Sequence, residues 1–531
     1  MIYMNFYFFQ TLICVVTLLM IILCCLNTTL FMKKLWNTTQ NKYDFLATFL
    51  ISSVVFLIGY GCMIISDHYS VDSFNLVYDM GPYWQMQIGR YVNCGVILLA
   101  EQMGINQVIM QRFFMVIWIA TSVIMNVMIT VGIAKQMKVK RSSFYLLILA
   151  TSLSFVNVFA MDLMLFSEIA MVLIPGNSAL GLAVQVVLCE EKEWKKWLLC
   201  VIYLIISIGS YQSYIGIFEV YVLLGIYLKW KDSPKTRWSN SFGVLGVGGV
   251  VSIFNIVLVK ILVHFGMIAD SGRGATFKIS KILRNIKGVL DYQVSFWKNA
   301  DGILMPYVMP VLGILLLYII VLELRKANLE KKLFLIFLIL GCYLLGFAPH
   351  MLESNQLLSP RSNIAVWSVI AAILVLAISH IEKIFNIFGK VIAVALCLLI
   401  GINCLVMQDM AANEQSMNAI DIMEAKQIGE RILEYENETG NTITKVAARG
   451  DLNPTYYQPN SRYKNWELGA RIMSTYYSNY RLIGYTLNRN LERKDMSDEI
   501  YEKYFAGKDW NCLNAEEQTI LINDTLYLAI Y

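Results

Sequence analysis

Charge is the first thing this sequence lacks. Of its 531 residues only 15% are Asp, Glu, Lys or Arg, against 57% hydrophobic residues, and the mean hydropathy is +0.56. A soluble globular chain carries about 25% charged residues, so an ordinary soluble domain is excluded. Other signatures are missing as well. No CxxC pair or Cys/His cluster points to zinc. Of the eleven cysteines, Cys14, Cys24, Cys25, Cys62, Cys200, Cys342, Cys397 and Cys404 sit in apolar runs and read as small hydrophobes, while Cys512 stands alone in polar sequence. There is no glycine-rich nucleotide loop, Walker motif, Ser-His-Asp pattern or nucleic-acid module. No cofactor is therefore indicated, and any reaction would draw its energy from an activated substrate or a gradient. The absence of an internal repeat weighs against an inverted-repeat transporter. The first apolar run, Tyr7–Leu30, has neither a basic leader nor a small-residue cleavage site and reads as a retained helix.

Apolar runs about 20 residues long are abundant, and that length of helix crosses the roughly 30 Å hydrocarbon core of a bilayer. Residues near 8–31, 45–65, 108–132, 143–161, 165–189, 197–210, 213–228, 241–263, 303–323, 333–349, 364–380 and 391–407 predict about twelve spans of an all-α polytopic membrane protein. Pro175 interrupts the fifth, and only Ser210–Ser213 separates the sixth from the seventh; broken helices of this kind survive in lipid where they line a cavity. Lys33/Lys34/Lys42, Lys135/Lys138/Lys140/Arg141, Lys192/Lys195/Lys196, Lys229/Lys231/Lys235/Arg237, Arg325/Lys326/Lys331/Lys332 and Lys383/Lys390 then fall on one side. That side is expected to be the cytoplasm.

This topology sends 66–107, 264–302, 349–363 and everything after Gln408 outward. The 264–302 loop escapes the charge rule with Arg273, Lys278, Lys281, Arg284, Lys287 and Lys298, as long loops do. Within it, Phe277–Tyr292 places Ile279, Ile282, Leu283, Ile286 and Leu290 at helical spacing among basic residues. This suits an amphipathic helix at the lipid surface, either an anchor to headgroups or a clamp on a lipid-linked phosphate. Residues 1–407 would thus form the membrane domain and 408–531 a small outward α+β domain, with a helix at Glu414–Glu436 and a strand at Ile443–Ala448. A cap over the membrane face or a selector of the acceptor is its expected role.

The densest polar stretch lies between two apolar runs: Ser66–Arg90, SDHYSVDSFNLVYDMGPYWQMQIGR. Asp72 and Asp79 are seven apart, so a helix through Val71–Asp79 would stack them on one face; a partly desolvated carboxylate there would be a general base. A hydrated loop or a helix N-cap explains the same residues. Trp84 and Tyr83 could stack on a sugar or sit in the interfacial aromatic belt. Arg90 opens a short apolar segment, Tyr91–Ala100, suited to lying in the interface. Its fork fits a phosphate, unless it pairs with Asp72, Asp79 or Glu101. Arg361 in Ser-Pro-Arg-Ser is a second anion-binding candidate, and Arg112 a third that could instead snorkel. Asp162 and Glu168 lie near the outer ends of the fourth and fifth spans, where buried carboxylates are functional candidates by default; Tyr211, Gln212 and Tyr214 form a polar knot between short spans. His68, His264 and His350 fall at outer helix ends. There one of them could join the aspartates around a divalent metal, or be an ordinary interfacial histidine.

The SVDSF motif (Ser70–Phe74), the W-x4-GR that follows (Trp84, Gly89, Arg90) and the later YQSY (Tyr211–Tyr214) together resemble bacterial membrane glucosyltransferases of the GT-C class, which decorate O-antigen and related surface polysaccharides. The likeness covers about Asp44 to Gln408, with an additional helix, Tyr7–Phe31, ahead of it. It implies a GT-C-like fold, a polyprenyl-phosphate sugar donor, a glycan acceptor and an active site on the outer face of the cytoplasmic membrane. The catalytic acid of that family lies in the first large outward loop. This places the role on Asp72, with Asp79 and Asp67 as alternatives; Arg90, helped by Arg361 or Arg284, would receive the phosphate. His68, Tyr83, Trp84, Glu168, Tyr211 and Gln212 complete the expected substrate contacts. A transporter or flippase of lipid-linked sugar, and a polysaccharide polymerase or ligase, are the alternative classes.

Overall fold

A computed structural model describes residues 2–36, 39–137, 141–190, 192–229, 235–276, 278–380, 387–450, 470–508, 510 and 513–530. Lys138, Lys140, Lys231, Lys383, Phe277 and Cys512, which entered the sequence reading, lie outside the described residues.

Among the described residues seven helices are long and apolar enough to cross a membrane: Tyr7–Trp36, Lys42–Tyr60, Gln111–Gln136, Ile169–Cys189, Trp238–His264, Val308–Lys326 and the apolar start of Gly389–Thr439. Three shorter apolar helices, Ser143–Ser152, Tyr214–Leu228 and Ala365–Ser379, stand with them. Gln111–Gln136 and Ile169–Cys189 form the centre, with 67% of the apolar window buried, whereas only 17% of the Tyr7–Trp36 window is. The apolar surface of that first helix, including Leu19, Leu26 and Leu30, is exposed, as a lipid-facing helix requires.

Several predicted spans are built differently from their prediction. The 143–161 run breaks into Arg141–Ser152 and Val158–Met164. Asn157 caps the second piece, accepting from the Phe159 and Ala160 N–H groups at 3.1 and 3.0 Å, and Asn403 accepts from the Val158 N–H at 3.2 Å. Polar side chains thus satisfy the freed backbone inside an apolar core. The 333–349 run is divided into Leu329–Ile336, a π-helical turn at Phe337–Gly341, and Cys342–Leu345. Pro175, by contrast, does not end its helix: Ile169–Cys189 continues through it. Next to it Gly176 presses on Ser210, so closely that a Cβ would lie 2.6 Å from that side chain. Tyr91–Gln102 is not an interfacial surface helix either, because Val92, Cys94, Ile97 and Leu98 are buried.

The last apolar span and the predicted polar helix are one element, Ile387–Thr439, of 53 residues and about 80 Å. No proline occurs in it, so nothing in the sequence stops helical propagation where the composition changes. Its polar half sets Ala425, Ile428 and Ile432 on one face, at i, i+3 and i+7, against a second hydrophobic core. That core is closed by a four-stranded sheet of order β2-β1-β4-β3, with β1 Lys445–Gly450, β2 Glu492–Arg493, β3 Thr519–Ile522 and β4 Thr525–Ile530. β1 lies parallel to β2 and β4, and β3 and β4 form an antiparallel hairpin.

Candidate functional site

Asp72 stands immediately ahead of a six-residue helix, Ser73–Tyr78, and Asp79 follows it in extended conformation. The two carboxylates therefore occupy opposite ends of a short helix and do not stack on one face of a longer one. The two serines of SVDSF turn back to a single partner. Ser70 Oγ and Ser73 Oγ each donate to Glu168, at 3.1 Å, while the Asp72 N–H donates to Ser70 Oγ at 3.1 Å. Glu168 is buried and precedes the Ile169–Cys189 helix. Burial, and then the neighbouring Asp72 charge, push its carboxyl up to about 7. The Asp72 carboxyl is raised above its ordinary value by burial, against the opposing pull of Arg361 and Arg273. Two carboxyls from distant loops thus share one site, and their titrations are linked.

The cationic side of the site is assembled by the other two motifs. Gly89 has φ +82°, and its carbonyl accepts from Asn255 Nδ2 at 2.7 Å. A Cβ there would lie 2.5 Å from Asn255 Oδ1, so both the left-handed backbone and the close approach require glycine. This turn delivers Arg90, whose Nε donates to Gln212 Oε1 at 3.4 Å and whose guanidinium stands 5.0 Å from the Tyr211 ring centre. Burial, together with the charges of Arg361 and Arg273, lowers its pKa; guanidinium stays protonated regardless. YQSY then joins the Arg90 turn to the Pro360–Asn363 turn: Gln212 donates to the Ile88 carbonyl at 2.7 Å, Tyr211 to the Arg361 carbonyl at 2.6 Å and Ser213 to the Ser362 carbonyl at 2.7 Å. The Arg361 N–H donates to Asp162 at 2.9 Å, and its guanidinium lies 4.3 Å from the Phe166 ring. Arg273 stacks over Trp84 at 5.5 Å.

Asp72, Glu168, Arg90, Arg361, Tyr211, Gln212 and, through Arg273, Trp84 are therefore brought together. The remaining candidates are placed elsewhere. Asp67 forms a two-pronged ion pair with Arg112, both contacts at 2.7 Å. Asp79 is exposed beside Glu101, in a separate cavity of about 380 Å³ lined also by Tyr78 and Asn106. His68 is buried, with Nε2 3.2 Å from the Met164 carbonyl, and burial lowers its pKa to about 4. It is a buried side chain, uncharged at neutral pH. Tyr83 packs against the main core, and Arg284 is exposed on the Ile279–Asn299 helix. Among the described residues no group of three or more His, Cys, Asp or Glu could hold a metal ion. Sequence reasoning passed over Ser70, Ser73 and Arg273 as site residues. The serines were legible only as neighbours of Asp72, and Arg273 only as a glycine-flanked arginine in Ser-Gly-Arg-Gly.

Carboxyls and guanidiniums thus gather at the ends of apolar helices of the kind that cross a membrane. The chain belongs to the glucosyl transferase GtrII family, whose model matches residues 61–378. The match contains SVDSF, the Arg90 turn, YQSY and Arg361, and ends before the polar half of the last helix. No curated protein and no solved structure matches the chain.

Proposed function

We propose that this protein moves a glucosyl group from a polyprenyl-phosphate donor to a cell-surface glycan, at the outer face of the cytoplasmic membrane, with inversion at the anomeric carbon. The observation that carries the reading is that Arg361 and Arg273 act on the Asp72 carboxylate and also on Arg90, so one acid and three guanidiniums belong to one neighbourhood. Asp72 takes the proton of an acceptor hydroxyl as that oxygen bonds to the anomeric carbon. The bond from that carbon to the phosphate oxygen breaks, and the electron pair leaves with the lipid phosphate. Its growing charge falls to the arginines, an electrostatic task that fixed donors perform without reorganisation. Tyr211 and Gln212 hold Arg90 from behind, and Trp84 offers a face to a sugar ring. Glu168, fastened to both serines, fixes the Asp72 turn and presents a second carboxyl beside the base.

A count of twelve spans, in a GT-C-like arrangement, would take in the seven long apolar helices, the three shorter ones, the Glu193–Ser210 helix and the broken 329–352 segment. The outer face is supported by the two ends of the Ile169–Cys189 helix. Glu168 and the site lie at its start. The charges of Lys34, Lys135 and Lys229 reach Cys189 at its end, and those of Lys195 and Lys34 reach Glu190. Twenty-one residues separate the two ends by about 30 Å, one hydrocarbon thickness. Residues 408–531 would stand on the site side as a separate outward domain. The Ile279–Asn299 helix would lie in the outer interface, with exposed Ile279, Leu283, Leu290 and Val294 toward lipid.

Labelled polyprenyl-phosphate glucose supplied to the purified protein with extracted glycan tests the reading. Covalent transfer is expected, and Asp72→Asn should lower it by about 10³-fold or more while the protein still inserts. Sugar crossing the bilayer unmodified would indicate a flippase, and chain extension of the glycan a polymerase. Normal transfer by Asp72→Asn would remove the base assignment.

A further inference from the structure

The loop that carries Asp72 is gripped from outside the family-matched region. Phe74, the last residue of SVDSF, is fully buried, and it belongs to the second core with Ile428, Ile432, Leu482 and Ile483 rather than to the membrane core. Its ring stands 5.0 Å from that of Tyr485 and 4.8 Å from that of Tyr69. The backbone is held as well. The Tyr69 N–H donates to Asn418 Oδ1 at 2.7 Å, and Asn418 Nδ2 donates to the Tyr69 carbonyl at 2.9 Å. Ser478 Oγ donates to the Val71 carbonyl, and Tyr78 Oη donates to the Arg489 carbonyl at 3.3 Å. Asp72 thus lies between a residue fastened to Ser478 and one fastened to Glu168.

We propose that the segment following residue 408 is a positioning element of the reaction, holding Asp72 through Phe74 and the Asn418–Tyr69 clamp. The inference rests on the reading of Asp72 as the base. It differs from a role in capping the membrane face or choosing the acceptor. The grip closes on the backbone of 69–78, the stretch that sets where the Asp72 carboxylate stands, and displacement of a reacting group by about 1 Å costs on the order of 10²-fold in rate. Neither Phe74 nor Asn418 touches substrate in this scheme; both act through the loop.

The test uses the full-length protein in proteoliposomes, with labelled polyprenyl-phosphate glucose and extracted glycan. Asn418→Ala, which removes two hydrogen bonds and leaves the second core intact, should lower kcat by roughly 10- to 100-fold with the donor and acceptor KM within about twofold. Phe74→Ala should do the same, and Phe74→Leu, which refills the second core, should restore most of the rate. If Phe74→Ala fails to fold, Asn418→Ala decides. A kcat unchanged in Asn418→Ala, or a loss confined to the acceptor KM, would overturn the proposal. Asp72→Asn, assayed in parallel, separates the two readings: if it stays active the base assignment has failed, and if it is inactive while Asn418→Ala is normal only the positioning role has.

Discussion

At the scale of single residues, the site is a problem in placing charge where water is scarce. Glu168 shows how the problem is met: it accepts from two serines and still has a carboxyl raised to about 7, from an ordinary 4.5, by burial and by Asp72. A raised carboxyl binds more protons folded than unfolded between those values. Its contribution to stability is therefore fully present below pH 4.5 and is lost as pH rises through 7. Thermal unfolding measured from pH 5 to 8 should show the wild type losing stability across this window, by on the order of 3 kcal/mol. Glu168→Gln should flatten that slope, and a variant with the wild-type slope would assign the titration to another group. Arg90 and Arg284, both sequence candidates for the phosphate, are separated by their surroundings. Arg90 senses Arg361 and Arg273, whereas Arg284 is exposed on the Ile279–Asn299 helix. Arg90→Ala should raise the donor KM by 10-fold or more, the loss of a charge-assisted contact worth roughly 1.5–3 kcal/mol, while Arg284→Ala should leave it within about twofold. Initial rates against donor concentration decide between them.

At the scale of elements, hydropathy showed where helices would form and said much less about how they would break. Asp72 and Arg90 were legible because an acid and an arginine between apolar runs demand partners. Glu168 was legible as a buried charge, but its tie to Ser70 and Ser73, 98 and 95 residues away, is a tertiary fact that no local spacing encodes. The same holds for Phe74, which reads as an ordinary loop aromatic until the second core closes on it. The split at Asn157 was hidden because apolar residues continue on both sides of it, so the local cap was outvoted by composition. The Ile279–Asn299 helix was legible in its period, and the structure assigns its faces. Asn285, Val289, Tyr292 and Phe296 are buried, while Ile279, Leu283, Leu290 and Val294 are exposed. A helix with one face against protein and another bare and apolar suits the proposed place at the lipid boundary. In proteoliposomes, fluorophores on single cysteines at Leu283 and Leu290 should be quenched by brominated lipid chains, and one at Asp291, exposed but turned about 100° from Leu290 around the helix, should be quenched several-fold less. Equal quenching at all three would place the helix elsewhere.

At the scale of the whole molecule, two hydrophobic cores of different kinds meet at one loop. The larger presents apolar side chains outward, Leu26, Val250, Ile314 and Leu398 among them. The smaller is closed by a sheet and is mounted on the continuation of the last apolar helix. The Ile169–Cys189 helix has the acidic site at one end and lysine charges at the other. On the proposed orientation the basic loops stay in the cytoplasm, and the end bearing Asp72, Arg90 and Arg361 would face out, where the proposed lipid-linked donor is met without a nucleotide. Asp270 and Asn355 are exposed in loops near the site end, while Lys192 and Glu330 are exposed at the starts of the Glu193–Ser210 and Leu329–Ile336 helices. A membrane-impermeant maleimide applied to intact cells should label Asp270→Cys and Asn355→Cys at least several-fold more than Lys192→Cys and Glu330→Cys, and the latter pair should become reactive once the membrane is opened. The reverse pattern would turn the molecule over and put the donor on the cytoplasmic side. A nucleotide-activated sugar could then reach the arginines directly, so this labelling decides the class of donor as well as the topology.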